Sequence, residues 1–495
     1  MKQKIKTILD KYPRIFIIVK TVRQSINHAF LAIKKIFSSK YDLRLYSIYN
    51  QFLALSGLDG SKATVDIIEE SSLNTNSYDL EIEKTILEYY KVNKDKFVQR
   101  QIIQKESQNK NIGILFTEIY AVGGHTPLIE RLVESFSSTY NMKAFATLTT
   151  NHSHPKLEKK INIERFHWIF GEISLIKFVL RLYNSILQKQ IDVLFTYLHP
   201  HDIVAVAVLA LLKEHSNVKV CFVNMQDHFY NLGYKFAHII VDARPAGLHI
   251  TKNIRGYKNT ILMPLQQKHK AETFYYSDEE KMQLRKHLGI EEGEYFTLTG
   301  CASFKIFDKS GSKYFEMIKV LLEKEPLIKH IVMMEFDRRE YKDIIKGIFQ
   351  DSPQLFARLK IIDRVSEYDI YMQTCDLLID SFPQGGALIH LDMMRNKKAT
   401  VVKVNKDNPF QSFEFYLPPN YEYMYENTED MIRGICKLLH SPEEQSKASG
   451  ELYNYYLDNY EFNVVKEKYE KLIVNSENLE TLYEAHKIDI HNHYY

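Results

Sequence analysis

The residues whose types and spacing point most directly to chemistry lie between Cys375 and Val402. Leu377–Ile379 is an apolar run of a length suited to a buried parallel strand. Asp380-Ser381-Phe382-Pro383-Gln384-Gly385-Gly386 ends it, with Pro and Gly close together. Beyond Ala387, the apolar residues Leu388, Leu391 and Met394 follow helical spacing, which predicts a helix starting at the glycines. Ala399–Val402 is the next predicted strand. A helix start carries unpaired N–H groups and the positive end of the helix dipole. Two residues without a Cβ let a phosphate approach those groups. Asp392 follows Gly386 by six residues, on the helix, where a carboxylate could accept hydrogen bonds from ribose hydroxyls. A glycine pair alone would also suit an ordinary tight turn; the complete pattern favours a nucleotide site.

A second group of residues could move protons. His125 follows Gly123 and Gly124, His199 opens His199-Pro200-His201-Asp202, and Asp227 precedes His228. Each group follows a predicted strand, so all three share one edge of a sheet, where open α/β folds bind ligands. A histidine can take a hydroxyl proton near neutral pH. His125 could instead cap its own helix. Asp227 reads either as a base or as the group that orients His228. No spacing among these residues defines a metal centre.

The elements that must position these groups alternate between strand and helix. Predicted strands at Ile112–Phe116, Ala144–Leu148, Ile191–Tyr197, Val218–Val223 and Ile239–Asp242 form one series. Tyr295–Thr299, Ile331–Met334, Lys360–Ile362, Leu377–Ile379 and Ala399–Val402 form a second. That alternation predicts α/β architecture with two doubly wound, Rossmann-like parallel sheets. Ahead of them the chain reads as mostly helical, with loops at Leu58–Lys62 and Ser71–Ser77 and a linker at Lys105–Lys110. One long helix spans about Ser441 to Val474. The expected divisions are a helical region 1–108, halves at 109–285 and 286–440, a crossing helix 441–475 and a polar tail 476–495.

The segment built on Asp380, Pro383, Gly386 and Asp392 resembles the donor-nucleotide segment of GT-B glycosyltransferases. It looks most like the O-GlcNAc transferase and HMW1C-type group, although the paired threonines usual there are Leu388 and Ile389. The resemblance covers about residues 110–475, loosely in the first half. It implies two sheets facing a cleft, and donor contacts from Ser381, Pro383, Gln384, Gly385, Gly386 and Asp392. It also implies a basic side chain at the leaving diphosphate. Lys305 is the first candidate, with Ser303 as a hydrogen-bond donor, and Arg338 with Arg339 is the second. Val365 falls in a loop similar to the one that passes near the base. On the acceptor side the resemblance implies a functional histidine or glycine-rich turn at Gly123, Gly124 and His125; Asp227 and His228 are further catalytic candidates, and His199 an acceptor-side one, from their places at strand ends. The Glu-x7-Glu pair of retaining enzymes falls on Gln384 and Asp392, so inversion is expected. No DxD loop suggests a metal, and no cofactor beyond the nucleotide sugar is implied.

Composition narrows the setting. A chain of 495 residues suggests about three units, and its 45% hydrophobic residues suffice for large cores. The four cysteines, Cys221, Cys301, Cys375 and Cys436, form no CxxC pair and read as free thiols in a reducing cytoplasm. No signal peptide and no run of about 18 apolar residues is visible. The net charge of +3 is uneven: residues 1–40 hold eight Lys, two Arg and one Asp, leaving the remainder near −6. Such a start, with Ile15 to Val19 interleaved, suits either an anionic membrane surface or packing on the protein itself. Nucleic acid is not an expected partner.

These readings predict a cytoplasmic transferase, peripheral on a membrane or free. It moves a sugar from a nucleotide-linked donor, with UDP the expected nucleotide, to a glycan, lipid-linked or protein acceptor. The alternatives are a CDP-polyol phosphotransferase of teichoic-acid type and a non-catalytic partner of another transferase.

Overall fold

The computed structural model describes residues 39–56, 65–98, 110–119, 125–148, 154–166, 174–227, 231–269, 274–307, 311–335, 339–363, 365, 367–404 and 416–475, with backbone alone at 53–56, 65–76 and 125. The basic segment 1–38, the loop expected at Leu58–Lys62, the linker residues 105–109 and the polar tail 476–495 lie outside the described residues.

Both predicted sheets form, and every strand pair in them is parallel. The first holds β1 (Asn111–Phe116), β2 (Asn141–Ala146), β3 (Ile163–Arg165), β4 (Val193–Tyr197), β5 (Lys219–Asn224), β6 (Ile239–Asp242) and β7 (Thr260–Leu262), in the order β3-β2-β1-β4-β5-β6-β7. The second holds β8 (Tyr295–Gly300), β9 (Ile328–Met333), β10 (Leu359–Ile362), β11 (Leu377–Ile379), β12 (Ala399–Lys403) and β13 (Met424–Tyr425), in the order β10-β9-β8-β11-β12-β13. Central strands such as β4, VLFTY, are buried at every residue, because helices cover both faces. The helix Ile203–His215 is likewise buried from Ile203 to Leu212, so its sequence shows no polar stripe.

In each sheet the strand order reverses once, between β1 and β4 and between β8 and β11. Chains leaving adjacent strands at such a point diverge to opposite faces. The reversal therefore opens a crevice at the carboxyl ends.

Several expected boundaries change. Ser71–Ser77 is helical, inside Val65–Val92. The long terminal helix is two, Pro442–Asn459 and Phe462–Val474, separated at Tyr460 and Glu461. The latter closes over the first sheet: Tyr469 packs 6.1 Å from Phe195, and Lys110 Nζ donates to the carbonyls of Ile473 and Val474. The helix around Pro127 begins at His125, which leaves proline in the first turn, where no intrahelical N–H is required.

The helical region before β1 packs onto the first half through buried carboxylates. Asp42 accepts from the Ile176 N–H at 2.9 Å and from Ser174 Oγ at 3.1 Å. Asp79 accepts from the N–H groups of Gly233 and Lys235, at 2.9 and 3.4 Å. Burial raises the Asp79 carboxyl to about 7, against those two hydrogen bonds, which pull it down. A carboxyl raised on folding contributes stability that is complete below its unfolded value of about 4 and is lost as pH climbs through about 7. The wild type should therefore melt lower at pH 8 than at pH 5 by a margin that narrows in Asp79→Asn. Paired thermal melts of the two proteins check this, and an equal margin in both would count against it.

Candidate functional site

At the reversal of the second sheet, two loops are stitched together. The loop after β8 makes a short 3-10 turn at Ser303–Lys305, with Ser303 buried. The loop after β11 is the Asp380–Gly386 turn, with a cis Phe382–Pro383 peptide. Lys305 Nζ donates to the Gly385 carbonyl at 2.6 Å. The Gln384 N–H donates to the Lys305 carbonyl at 3.2 Å. Ser381 Oγ donates to the Gln384 carbonyl at 2.7 Å, closing the turn on itself. The ring of Phe382 sits 5.5 Å from that of Tyr314, which fixes the outer side of the turn.

Two glycines are required here by close approach. A Cβ at Gly386 would lie 2.5 Å from Ile389 Cγ2 and 3.1 Å from Asp380 Oδ1, and one at Gly300 would lie 2.6 Å from Ile389 Cδ1. Ile389 thus fills the space that both glycines vacate. The helix begins at Leu388 rather than at the glycines. The N–H of Gly386 is donated to Asp380 Oδ1 at 2.7 Å, alongside the N–H of Ser381 at 2.8 Å. In this structure the carboxylate at the end of β11 therefore takes the N–H expected to stand open at Gly386.

Asp392 lies on that helix, 4% exposed. Arg395 approaches its Oδ1 at 3.1 Å, and the Tyr368 hydroxyl donates to its Oδ2 at 3.4 Å. Arg395 also reaches Asp369 at 3.2 Å, and Asp369 pairs with Lys268 at 2.7 Å. The Asp392 charge, with burial second, pushes the Tyr368 phenol well above its ordinary value. Val365, partly buried, lies in the loop that delivers Tyr368 to Asp392. Arg338 lies outside the described residues.

At the reversal of the first sheet, Asp202 gathers three strand ends. Thr117 Oγ1 donates to its Oδ2 at 2.7 Å, and Thr147 Oγ1 donates to the same oxygen. Its Oδ1 accepts the Ala205 N–H at 3.0 Å and so caps the helix Ile203–His215. The His199 N–H donates to Thr117 Oγ1 at 2.9 Å, and Glu118 Oε1 stands 3.7 Å from His199 Nδ1. His201 lies beyond, its ring 5.8 Å from that of His199 and 6.1 Å from Tyr49 of the helical region. Burial lowers the His199 imidazole below its ordinary value, and the charges of Glu118 and Asp202 oppose the fall. Lowering of this kind favours the neutral imidazole, the form that accepts a proton.

The backbone of His125 starts its helix at the carboxyl side of β1. Gly123, Gly124 and His228 lie outside the described residues. Asp227 is engaged elsewhere: Arg244 Nε and Nη2 meet its two oxygens at 2.6 and 2.7 Å, with both residues buried. A Cβ at Gly247 would lie 2.3 Å from Asp227 Oδ2, so the pair is enclosed. This bidentate pairing leaves Asp227 as an anchor between the end of β5 and the helix Pro245–His249.

Sequence reasoning did not single out Glu118, Tyr368, Arg395 or Arg244, and gave His390 no role. Glu118 had a usable signal, since it stands two residues past β1 on the edge already holding His199. The partners of Asp227 and Asp392 had none, because folding alone sets those pairings.

Two parallel Rossmann-like sheets, each with its own reversal and closed by a terminal helix over the first, make up the GT-B fold. Solved structures share it. A glycosyltransferase from Rickettsia africae matches with a TM-score of 0.61 at 11% identity, over 75% of this chain and 100% of that one. Anabaena HepE in complex with UDP matches at 0.55 and 12% identity, over 73% and 99%. A variant of the Thermobaculum terrenum O-GlcNAc transferase matches at 0.50 and 11%, over 89% and 85%. No protein-family model and no curated protein matches the sequence.

Proposed function

We propose that this chain is a glycosyltransferase that moves a sugar from a UDP-linked donor to a glycan, lipid-linked or protein acceptor, inverting the anomeric centre without a metal ion. The observation that carries the reading is the convergence of Lys305, the Ser381–Gly386 turn and the Asp392 helix at the reversal of the second sheet. HepE, of the same fold, has been solved with UDP and with UDP-glucose, which supports the choice of nucleotide.

In this reading Asp392 accepts from the ribose hydroxyls, and the Ser303 and Ser381 hydroxyls, with N–H groups of the turn other than the two that Asp380 holds, meet the diphosphate. The Lys305 ammonium turns from the Gly385 carbonyl to the phosphate oxygens. An acceptor hydroxyl gives its proton to a histidine at the first sheet's edge, His199 or His125. Its oxygen bonds to the anomeric carbon as the bond to the diphosphate breaks. The negative charge that develops on the leaving UDP is held by Lys305. Among the described residues no helix is long and apolar enough to cross a membrane. A peripheral, cytoplasmic placement through the basic start belongs to the same proposal.

Calorimetric titration with UDP, GDP and CDP tests the donor site. UDP should bind best, and Asp392→Asn should weaken it by roughly 10-fold or more, the effect of losing a charged hydrogen-bond acceptor. A preference for CDP would favour the polyol-phosphate alternative. Folded protein that binds no nucleotide would overturn the donor site.

A further inference from the structure

His390 sits on the first turn of the helix Leu388–Arg395 with no exposure at all. Its Nε2 faces Asp380 Oδ2 at 3.2 Å. Close as they are, no hydrogen bond joins the two atoms as they stand, and among the described residues neither ring nitrogen nor that carboxylate oxygen has a hydrogen-bond partner elsewhere. The other oxygen, Oδ1, holds the N–H groups of Ser381 and Gly386. Gly386 completes the packet, since a Cβ there would come within 3.9 Å of His390 Nε2.

A buried carboxylate oxygen with no donor is costly, and one aimed at an imidazole calls for a proton between them. We propose that His390 is a positioning residue for the donor turn. Donating from Nε2 to Asp380 Oδ2, it fixes the rotation of the carboxylate so that Oδ1 gathers both turn N–H groups. The carbonyl of Gly385 is thereby presented to Lys305. Among the described residues, the other charged or titratable groups around the packet include Lys305, Tyr314, whose phenol is raised by burial first and by the Asp380 charge more weakly, and Lys403 over the Phe382 ring. His390 touches no substrate in this scheme; it acts through Asp380. The value of this arrangement to catalysis rests on the glycosyltransferase reading, but the arrangement itself does not.

The test uses the full chain and four variants, His390→Phe, His390→Gln, Asp380→Asn and the double variant His390→Phe with Asp380→Asn. Hydrogen exchange in the peptide spanning Ser381 to Ala387 is measured by mass spectrometry without ligand, alongside UDP affinity by calorimetry. His390→Phe should speed exchange in that peptide and weaken UDP by about 10-fold, as expected for a stranded buried acceptor. His390→Gln, whose amide can donate to Asp380, should restore most of both. Adding His390→Phe to Asp380→Asn should cost little more than Asp380→Asn alone. Unchanged exchange in His390→Phe, with its melt showing it folded, overturns the proposal. Equal faults in the Phe and Gln variants also overturn it, since a filler of space would be disturbed by both. If the wild type binds no UDP, the functional reading falls, while the exchange arms still decide the role of His390.

Discussion

Lys305→Met is expected to lower the turnover of a UDP-sugar by about 100- to 1,000-fold, with a fall of only several degrees in melting temperature. That size is typical for removing one fixed group from the site where charge develops in a transition state. Methionine keeps the unbranched stem and deletes the ammonium. The hydrogen bond from the charged Nζ to the Gly385 carbonyl is worth about 1.5–3 kcal/mol to the fold, which leaves the protein folded, so the loss of rate should fall on chemistry. Lys305→Arg should retain part of the rate, because its guanidinium keeps the charge but is bulkier and planar. Steady-state kinetics separates the outcomes. A fall in kcat and kcat/KM together places Lys305 at the developing charge. A rise in KM alone would limit it to holding the donor, and unchanged kinetics would remove it from the site.

Asp227→Ala is expected to destabilise the protein by about 3–5 kcal/mol, the cost of stranding a buried charge. Arg244, 1% exposed, would keep its guanidinium without the carboxylate that meets it in two places. Asp227→Leu combined with Arg244→Met should recover much of the loss, since an apolar pair of similar volume removes both charges together. Urea unfolding of the wild type and the two variants measures this. An Asp227→Ala protein as stable as wild type but inactive would return Asp227 to the role of base that its sequence position suggested.

The Asp227 case shows where reading the sequence stops. Its position at the carboxyl end of a strand is local information, and β5 ends where the apolar run does. Its partner Arg244 lies 17 residues away, past another strand, and nothing in the spacing distinguishes a free carboxylate from a paired one. The stretch from β11 to β12 was legible because strand, turn and helix follow one another without help from distant segments. Even there, the Gly386 N–H was claimed by Asp380, a contact that depends on how the turn folds back. β3, β7 and β13, of three, three and two residues, are too short to show periodicity and form because a neighbouring strand is already in place. The two sheets were readable for the opposite reason: their central strands are rich in apolar residues, as in VLFTY of β4, and recur with helices between them.

The helix Phe462–Val474 lays Tyr469 on Phe195 and offers the carbonyl of Ile473 to Lys110, 363 positions earlier in the chain. During synthesis, the first half leaves the ribosome well before the segment that covers it has been made. Until then an apolar strip of the first sheet is bare, open to chaperones or to another nascent chain. The second half must be translated before the first is complete, so the two mature together. A truncation just ahead of Phe462 would harm the half that was made first.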